Sequence, residues 1–299
     1  MIIARLYNGT KGAPRQLART HAAVFQLAGQ HWREEIQKGI DEVVAALREI
    51  FILDPIPSHM RGFSPLSERL ASDASNIAGV LVAAAPSQKA EFEEMITKYA
   101  RHLPERDIKR VYAEKVGKFQ ADAMLYCEEQ WLDENMHAPS PATTVDARGM
   151  SDGTLRFIAI LTALQTRPKG SLLVIEEVDN GLHPSRAKLL LDMLQELSLK
   201  RGVDVLVATH NPAMLDAMGT EMVPFITVAN RDATDGHSVL TLLEDITQLP
   251  KLLAQGQLGR LSTQGLIEDS LAHQLGLAQQ QENSESTTKA LLVAGTADA

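Results

Sequence analysis

Apolar positions along the 299-residue chain follow two rhythms. Trp32, Ile36, Ile40, Val43, Leu47 and Ile50 recur at steps of three and four, which predicts an amphipathic helix from about Gln30 to Ile50. Asp54-Pro-Ile-Pro57 ends it, since proline lacks an amide hydrogen and disfavours the helical conformation of the residue before it. Phe92, Met95, Ile96, Tyr99 and Leu103 mark another helix, closed by Pro104. The period then becomes two. Phe119, Ala121, Ala123, Leu125 and Cys127 alternate with Gln120, Asp122, Tyr126 and Glu128, predicting a half-buried strand with a partner around Lys109 to Val116. Asn135 to Thr144, with Pro139 and Pro141, reads as a loop and a boundary.

Beyond that loop helices and strands alternate. Thr154 to Leu164 is a helix, and Ser171 to Ile175 is an unbroken apolar run, as expected of a strand covered on both faces. Pro184 to Leu199 is the next helix, with Leu190, Met193, Leu194 and Leu197 on its apolar side; Asp204 to Ala208 is the next strand. Phe225 to Val228 and Ser238 to Leu243 are expected to extend the same sheet. The fold class is therefore α/β with a mostly parallel sheet. Three regions follow: a helical and mixed region over 1–135, an α/β lobe over 136–270, and a polar, disordered tail over 271–299, carrying Gln279-Gln-Gln281. No period of 20–50 residues repeats itself.

Composition narrows this picture modestly. Hydrophobic residues make up 44% of the chain, enough for a substantial core. Twenty-nine Lys and Arg against 38 Asp and Glu give a net charge of −9, which argues against a generally nucleic-acid-binding surface. The single cysteine, Cys127, excludes an internal disulfide, fits a reducing compartment and reads as a small buried hydrophobe. The start, Met-Ile-Ile-Ala-Arg, has no secretory pattern, and no run approaches the ~20 apolar residues of a membrane span, so the expected location is the cytoplasm. The Asn8-Gly-Thr10 sequon is idle without secretion. The nine histidines show no paired metal spacing, and there is no basic, aromatic-interleaved patch to argue for direct DNA contact.

Three segments carry candidate chemistry. In Leu172 to Glu177 an apolar strand runs into Glu176 and Glu177, placing two carboxylates where open α/β sheets bind ligands. One can hold Mg²⁺ and the other can order an attacking water; a strand ending in solvated acids is the plain alternative. His210 ends the next apolar strand, 33 residues after Glu177, where a histidine can donate to a phosphate oxygen; as a turn residue it needs no such role. Ser151-Asp-Gly153 opens a helix whose free amides can receive an anion. Ser151 or Asp152 serves equally as its N-cap, and both roles use the same N–H groups.

Together Met150 to Asp216 resembles the C-terminal half of the nucleotide-binding domain of the RecF/SMC-like ABC ATPases, a P-loop NTPase fold, nearest the branch of OLD-family and AAA-type phage-defence ATPases. Ser151-Asp-Gly-Thr154 stands at the signature motif, Leu172 to Glu177 at Walker B, Asp179-Asn-Gly-Leu-His183 at the D-loop and Thr209-His210 at the switch histidine. Ile52-Leu-Asp-Pro55, Met60-Arg61 and Leu258-Gly-Arg-Leu261 look like further stretches of that branch, extending the likeness over about 45–270. The resemblance implies ATP and Mg²⁺ as cofactors. Glu177 is then the catalytic base, His210 the γ-phosphate sensor, Glu176 the metal ligand, and Ser151, Gly153 and Asp179 nucleotide contacts, with Ser151 acting across a dimer interface. It also implies a homodimer or partner subunit, with DNA or a nuclease as a further partner and a DNA-repair or antiphage setting.

Some positions depart from the family pattern. Glu176 stands where aspartate is usual, Asp152 replaces the first glycine of Ser-Gly-Gly, and His183 takes the usual D-loop aspartate position. No G-x-x-x-x-G-K-[ST] phosphate loop occurs in these residues; the only Gly-Lys pair, Gly117-Lys118, precedes Phe119. The expectation is half of an ATP site, from a truncated product, a split ATPase or a degenerate one. A non-hydrolysing regulatory module retaining the fold is the competing reading. An incomplete sheet should leave the apolar run Leu172 to Ile175 short of cover and prone to association.

Overall fold

In a computed structural model the described residues are 2–5, 14–17, 22–28, 32–103, 108–130, 141–232 and 236–274. They divide into two compact units: residues 1–181 with 193–208, and residues 182–192 with 209–299. The expected tail beyond Ala278 and most of the expected 135–144 loop lie outside the described residues.

The first unit begins with an antiparallel pair, β1 (Ile2–Arg5) and β2 (Pro14–Leu17). Helices α1 (Ala23–Leu27) and α2 (Glu34–Arg48) follow and share a small core of Leu27, Ile40 and Val44. The apolar period of α2 runs on to Ile50, but the chain has already changed conformation: Ile50-Phe-Ile-Leu53 is strand β3. A β-branched and aromatic run before Asp54-Pro55 favours a pleated strand, and the helix closes at Glu49, whose amide reaches back to Ala45 O at 3.2 Å. Helix α3 (Pro57–Met60) and short strand β4 (Ser64–Pro65) follow, then α4 (Ile77–Ala83) and α5 (Pro86–Ala100).

Strands β5 (Ile108–Val116) and β6 (Asp122–Glu129) form the expected antiparallel hairpin, with β7 (Thr143–Asp146) and β4 pairing along β6. Strand β6 starts three residues later than the alternation from Phe119 suggests. Gly117 and Gln120 adopt φ of +78° and +53°, so 117–120 is a turn that no pleated strand accommodates. Helix α4 packs against β5 and β6 and α5 against β5, and α6 (Asp152–Thr166) packs against α3, α4 and α5; α6 is apolar nearly all round and buried accordingly, from Leu155 and Phe157 to Leu164.

The parallel sheet is three-stranded, in the order β3, β8 (Leu172–Ile175), β9 (Asp204–Val207). Ile50 lies opposite Leu172 and Leu172 opposite Asp204, so β8 is paired on both sides. Leu172 to Ile175 is therefore not the unpaired edge that was expected, and its cover is thin on one face only. Exposure is confined to one face of the sheet and is greatest on its outer strands, because pleating sends alternate residues to opposite sides. Leu53, Leu173 and Ile175 are fully buried, while Ile50, Ile52 and Leu206 are 39%, 52% and 57% exposed.

A 3₁₀ turn (Pro184–Arg186) leads into α7 (Ala187–Arg201), which is continuous across the division at 192. The second unit contains α8 (Pro212–Met218), strands β10 (Thr227–Arg231) and β11 (Ser238–Leu242), and helices α9 (Leu249–Leu253) and α10 (Leu258–Thr263). Val223, Leu243, Ile246, Leu249, Leu258 and Leu261 belong to its core. Strands β10 and β11 pair with each other, antiparallel, in a sheet of their own. They do not extend the parallel sheet as expected. They alternate polar and apolar residues as a one-sided hairpin does, whereas the parallel strands are continuous apolar runs.

Candidate functional site

The candidate site in the first unit is built on two chain reversals. One leaves the carboxyl end of β8. Glu176 N–H donates to Leu53 O at 3.3 Å and Val178 N–H to Ala208 O at 3.2 Å, so the reversal is tied to both neighbouring strands. Both glutamates are exposed there. Glu177 has φ of +46°, a left-handed conformation that an L side chain with a Cβ adopts at a cost of about 1–2 kcal/mol. Its conformation is held from ahead: Asn180 N–H donates to Glu177 O at 2.9 Å, and Asn180 Nδ2 donates to the Glu177 carboxylate at 2.9 Å. Backbone strain at a carboxylate of interest is characteristic of functional turns.

The second reversal precedes α6. Ser151 is its N-cap: Oγ accepts from Thr154 N–H at 3.1 Å and lies 2.8 Å from Thr154 Oγ1. The capping role is thus realised, and it leaves the anion-receiving role to be tested. Gly153 is buried and Ser151 exposed. The two reversals meet through glycines. Gly181 has φ of +77°, and a Cβ built on it would stand 3.5 Å from Gly153 N and 3.6 Å from Gly153 Cα. The segment carrying Glu176, Glu177 and Asp179 therefore runs against the start of α6.

Asp152, the acid standing where the family has glycine, is engaged by Arg61. Arg61 Nη2 donates to Asp152 Oδ1 at 2.6 Å, while Nη1 donates to the carbonyls of Ala147, Arg148 and Met150 at 3.0, 2.9 and 2.8 Å. Neither periodicity nor composition singles out Arg61; its sequence signal is that Met60-Arg61 resembles a stretch of the branch named above. Asp146, four residues before Met150, is paired with Arg148. That guanidinium, against the opposing effect of burial, holds the Asp146 carboxyl below its usual range, helped by the Arg148 backbone N–H at 3.0 Å.

His210 and His183 belong to the second unit. His210 is exposed and immediately precedes α8, whose N-cap Asn211 accepts from Ala213 N–H at 2.9 Å. His183 caps the 3₁₀ turn, accepting from Ser185 N–H at 3.3 Å.

The donors suit one kind of metal. Among the described residues no group of three or more His, Cys, Asp or Glu converges, so a Glu176–Glu177 site offers two hard oxygen ligands at most. Mg²⁺ binds through one or two carboxylates, keeping waters and substrate phosphates for its other positions. None of the helices described is long and apolar enough to cross a membrane.

Among solved structures, the chain is similar to an SMC head bound to the C-terminal winged-helix domain of ScpA, with 16% identity over 69% of this chain and 60% of that one and a TM-score of 0.40. An Smc head with an extended coiled coil from Pyrococcus furiosus, bound to the C-terminal domain of ScpA, gives 12% identity over 74% and 48%, with a TM-score of 0.36. A structure concerned with ATP-driven dimerization and DNA-stimulated activation of SMC ATPases gives 14% over 56% and 93%, with a TM-score of 0.35. Identities and scores this low transfer no residue's role. No curated protein matches the sequence. The family model described as "AAA domain, putative AbiEii toxin, Type IV TA system" matches residues 71–216, a stretch that holds both reversals.

Proposed function

We propose that the chain supplies the signature and carboxylate half of a composite ATP site in an ABC-type ATPase of the RecF/SMC-like kind. The observation that carries this reading is the meeting of two reversals at Gly181 and Gly153, which sets an anion-receiving helix start beside a strained, exposed carboxylate turn. The Gly153 amide and the Ser151 hydroxyl receive phosphate oxygens at the positive end of the α6 dipole, while the Thr154 N–H stays on Ser151 Oγ. Glu176 would hold Mg²⁺, which would neutralise phosphate charge; Glu177 orients and deprotonates the attacking water, and Asp179 lines the nucleotide. A partner subunit supplies the phosphate loop, so Ser151 acts in trans to it. The setting is a cytoplasmic DNA-directed or antiviral complex, with a toxin–antitoxin role suggested by the family description.

A half-site binds nucleotide weakly and turns it over no faster than background, because nothing in it cradles the β- and γ-phosphates. Calorimetric titration of the chain with Mg-ATP should give millimolar affinity. Ser151→Arg should weaken it about tenfold or more by filling the anion's place, and Glu176→Ala should remove its dependence on Mg²⁺. No binding at tens of millimolar, or unchanged binding in Ser151→Arg, would overturn the proposal. Metal-dependent turnover by the chain alone, lost in Glu177→Gln, would overturn its half-site part. The non-hydrolysing module differs in one outcome: adding a lobe with a phosphate loop would leave turnover at background.

A further inference from the structure

We infer that Arg61 is the positioning residue of the Ser151 turn, a clamp that sets where the serine hydroxyl and the Gly153 and Thr154 amides point. This rests on the nucleotide reading given above. Three backbone carbonyls, from Ala147, Arg148 and Met150, converge on one nitrogen of Arg61, and the other terminal nitrogen takes Asp152. Carbonyl dipoles aimed at one point repel one another unless a cation stands between them. Here a planar guanidinium does so with directed hydrogen bonds, which an ammonium cannot match on both sides at once. Ala147 and Met150 are buried, so water is a poor substitute for the cation.

The placement of Arg61 extends its reach. It directly follows α3, and α3 follows β3, whose Leu53 carbonyl receives Glu176 N–H. Segment 50–61 therefore holds the carboxylate turn with its first residues and the serine turn with its last. It is a strut between the two halves of the candidate site, formed by residues about 90 positions earlier in the chain than Ser151. Arg61 also neutralises Asp152, the one acid at the end of α6 where phosphate would come. Neutralisation and positioning are separate effects, and a pair of variants divides them.

Arg61→Ala, Arg61→Lys, Asp152→Asn and Arg61→Ala/Asp152→Asn are made in the full chain. Amide hydrogen exchange is followed without nucleotide, and Mg-ATP affinity by titration. Arg61→Ala should speed exchange over residues 147–153 about tenfold or more while the interior of α6 exchanges as in the parent. It should weaken Mg-ATP at least about tenfold, and Arg61→Lys, which keeps a cation among the carbonyls, should recover part of both losses. In the double variant the acid is gone but the turn is still loose, so affinity should stay well below that of Asp152→Asn alone. Recovery of full affinity in the double variant would reduce Arg61 to a neutraliser of charge and overturn the inference. Unchanged exchange at 147–153 in Arg61→Ala would overturn it too. If the parent binds no Mg-ATP, the nucleotide reading has failed, and the exchange result alone then decides whether Arg61 fixes the turn.

Discussion

Glu177 offers a test in which the sign of an effect is diagnostic. Its φ of +46° puts a Cβ in the left-handed region, at a cost of about 1–2 kcal/mol that glycine avoids. Glycine gives back roughly 0.4–1 kcal/mol through the extra freedom of the unfolded chain. Glu177→Gly should therefore be more stable than Glu177→Ala by about 0.5–1 kcal/mol. Both variants lose the carboxylate and its contact with Asn180, so that contact cancels from the comparison. For a unit of this size the difference is roughly 1–4 °C in melting temperature. Glu94, exposed in the middle of α5, is the control: there Glu94→Gly should be less stable than Glu94→Ala by about 1 kcal/mol, the ordinary helix penalty. Thermal and urea melts of the four variants measure both differences. If Glu177→Gly melts below Glu177→Ala, as at Glu94, the turn is not left-handed at that residue and the argument for stored strain fails.

Other consequences can be measured alongside. Gly259→Ala should destabilise the second unit by about 2–4 kcal/mol in denaturant melts. Its Cβ would fall 2.0 Å from Pro212 O, and the Gly259 N–H bond to Asp216 at 2.6 Å would be lost as α10 withdrew from α8; a loss under about 0.5 kcal/mol would show that this crossing is not tight. Asp146 has a lowered folded-state pKa, so its contribution is present above the usual carboxylate value of about 3.9 and is lost as pH falls through the lower folded value. Asp146→Asn should flatten the acid limb of a melting-temperature profile below about pH 4; identical limbs would remove Asp146 from the turn's stability. The bare face of Ile50, Ile52 and Leu206 should make the chain self-associate at micromolar concentration, and Ile52→Thr/Leu206→Thr should reduce this; a monomeric parent by light scattering would contradict it.

What the sequence disclosed and what it withheld follow the range of the interactions involved. Ser171 to Ile175 and Asp204 to Ala208 were legible as parallel strands because each is a continuous apolar run, and the Ser151 cap because capping is local chemistry. Strand β3 was hidden in the period of α2, since Ile50 satisfies both patterns and only its pairing with Leu172 decides between them. The β10–β11 hairpin forms its own sheet rather than joining the parallel one for the same reason: pairing partners are not written in a strand's own residues. The left-handed Glu177 and the Arg61 clamp depend on contacts three and about 90 residues away, which no periodicity carries. Positions 176, 177, 151, 153, 179 and 210 were picked out by motif, and their roles await the experiments above.

The central claim is that nucleotide meets this chain at the start of α6 beside the carboxylate turn. A backbone amide chemical-shift map of the chain titrated with Mg-ATP tests it most directly. The account predicts that the largest shifts fall on Gly153 and Thr154, with a second set at 176–181, and that both sets disappear in Ser151→Arg. Saturable shifts concentrated elsewhere, such as the basic groove of Lys98, Arg101, Lys109 and Lys200, with Gly153 and Thr154 unmoved, would contradict it.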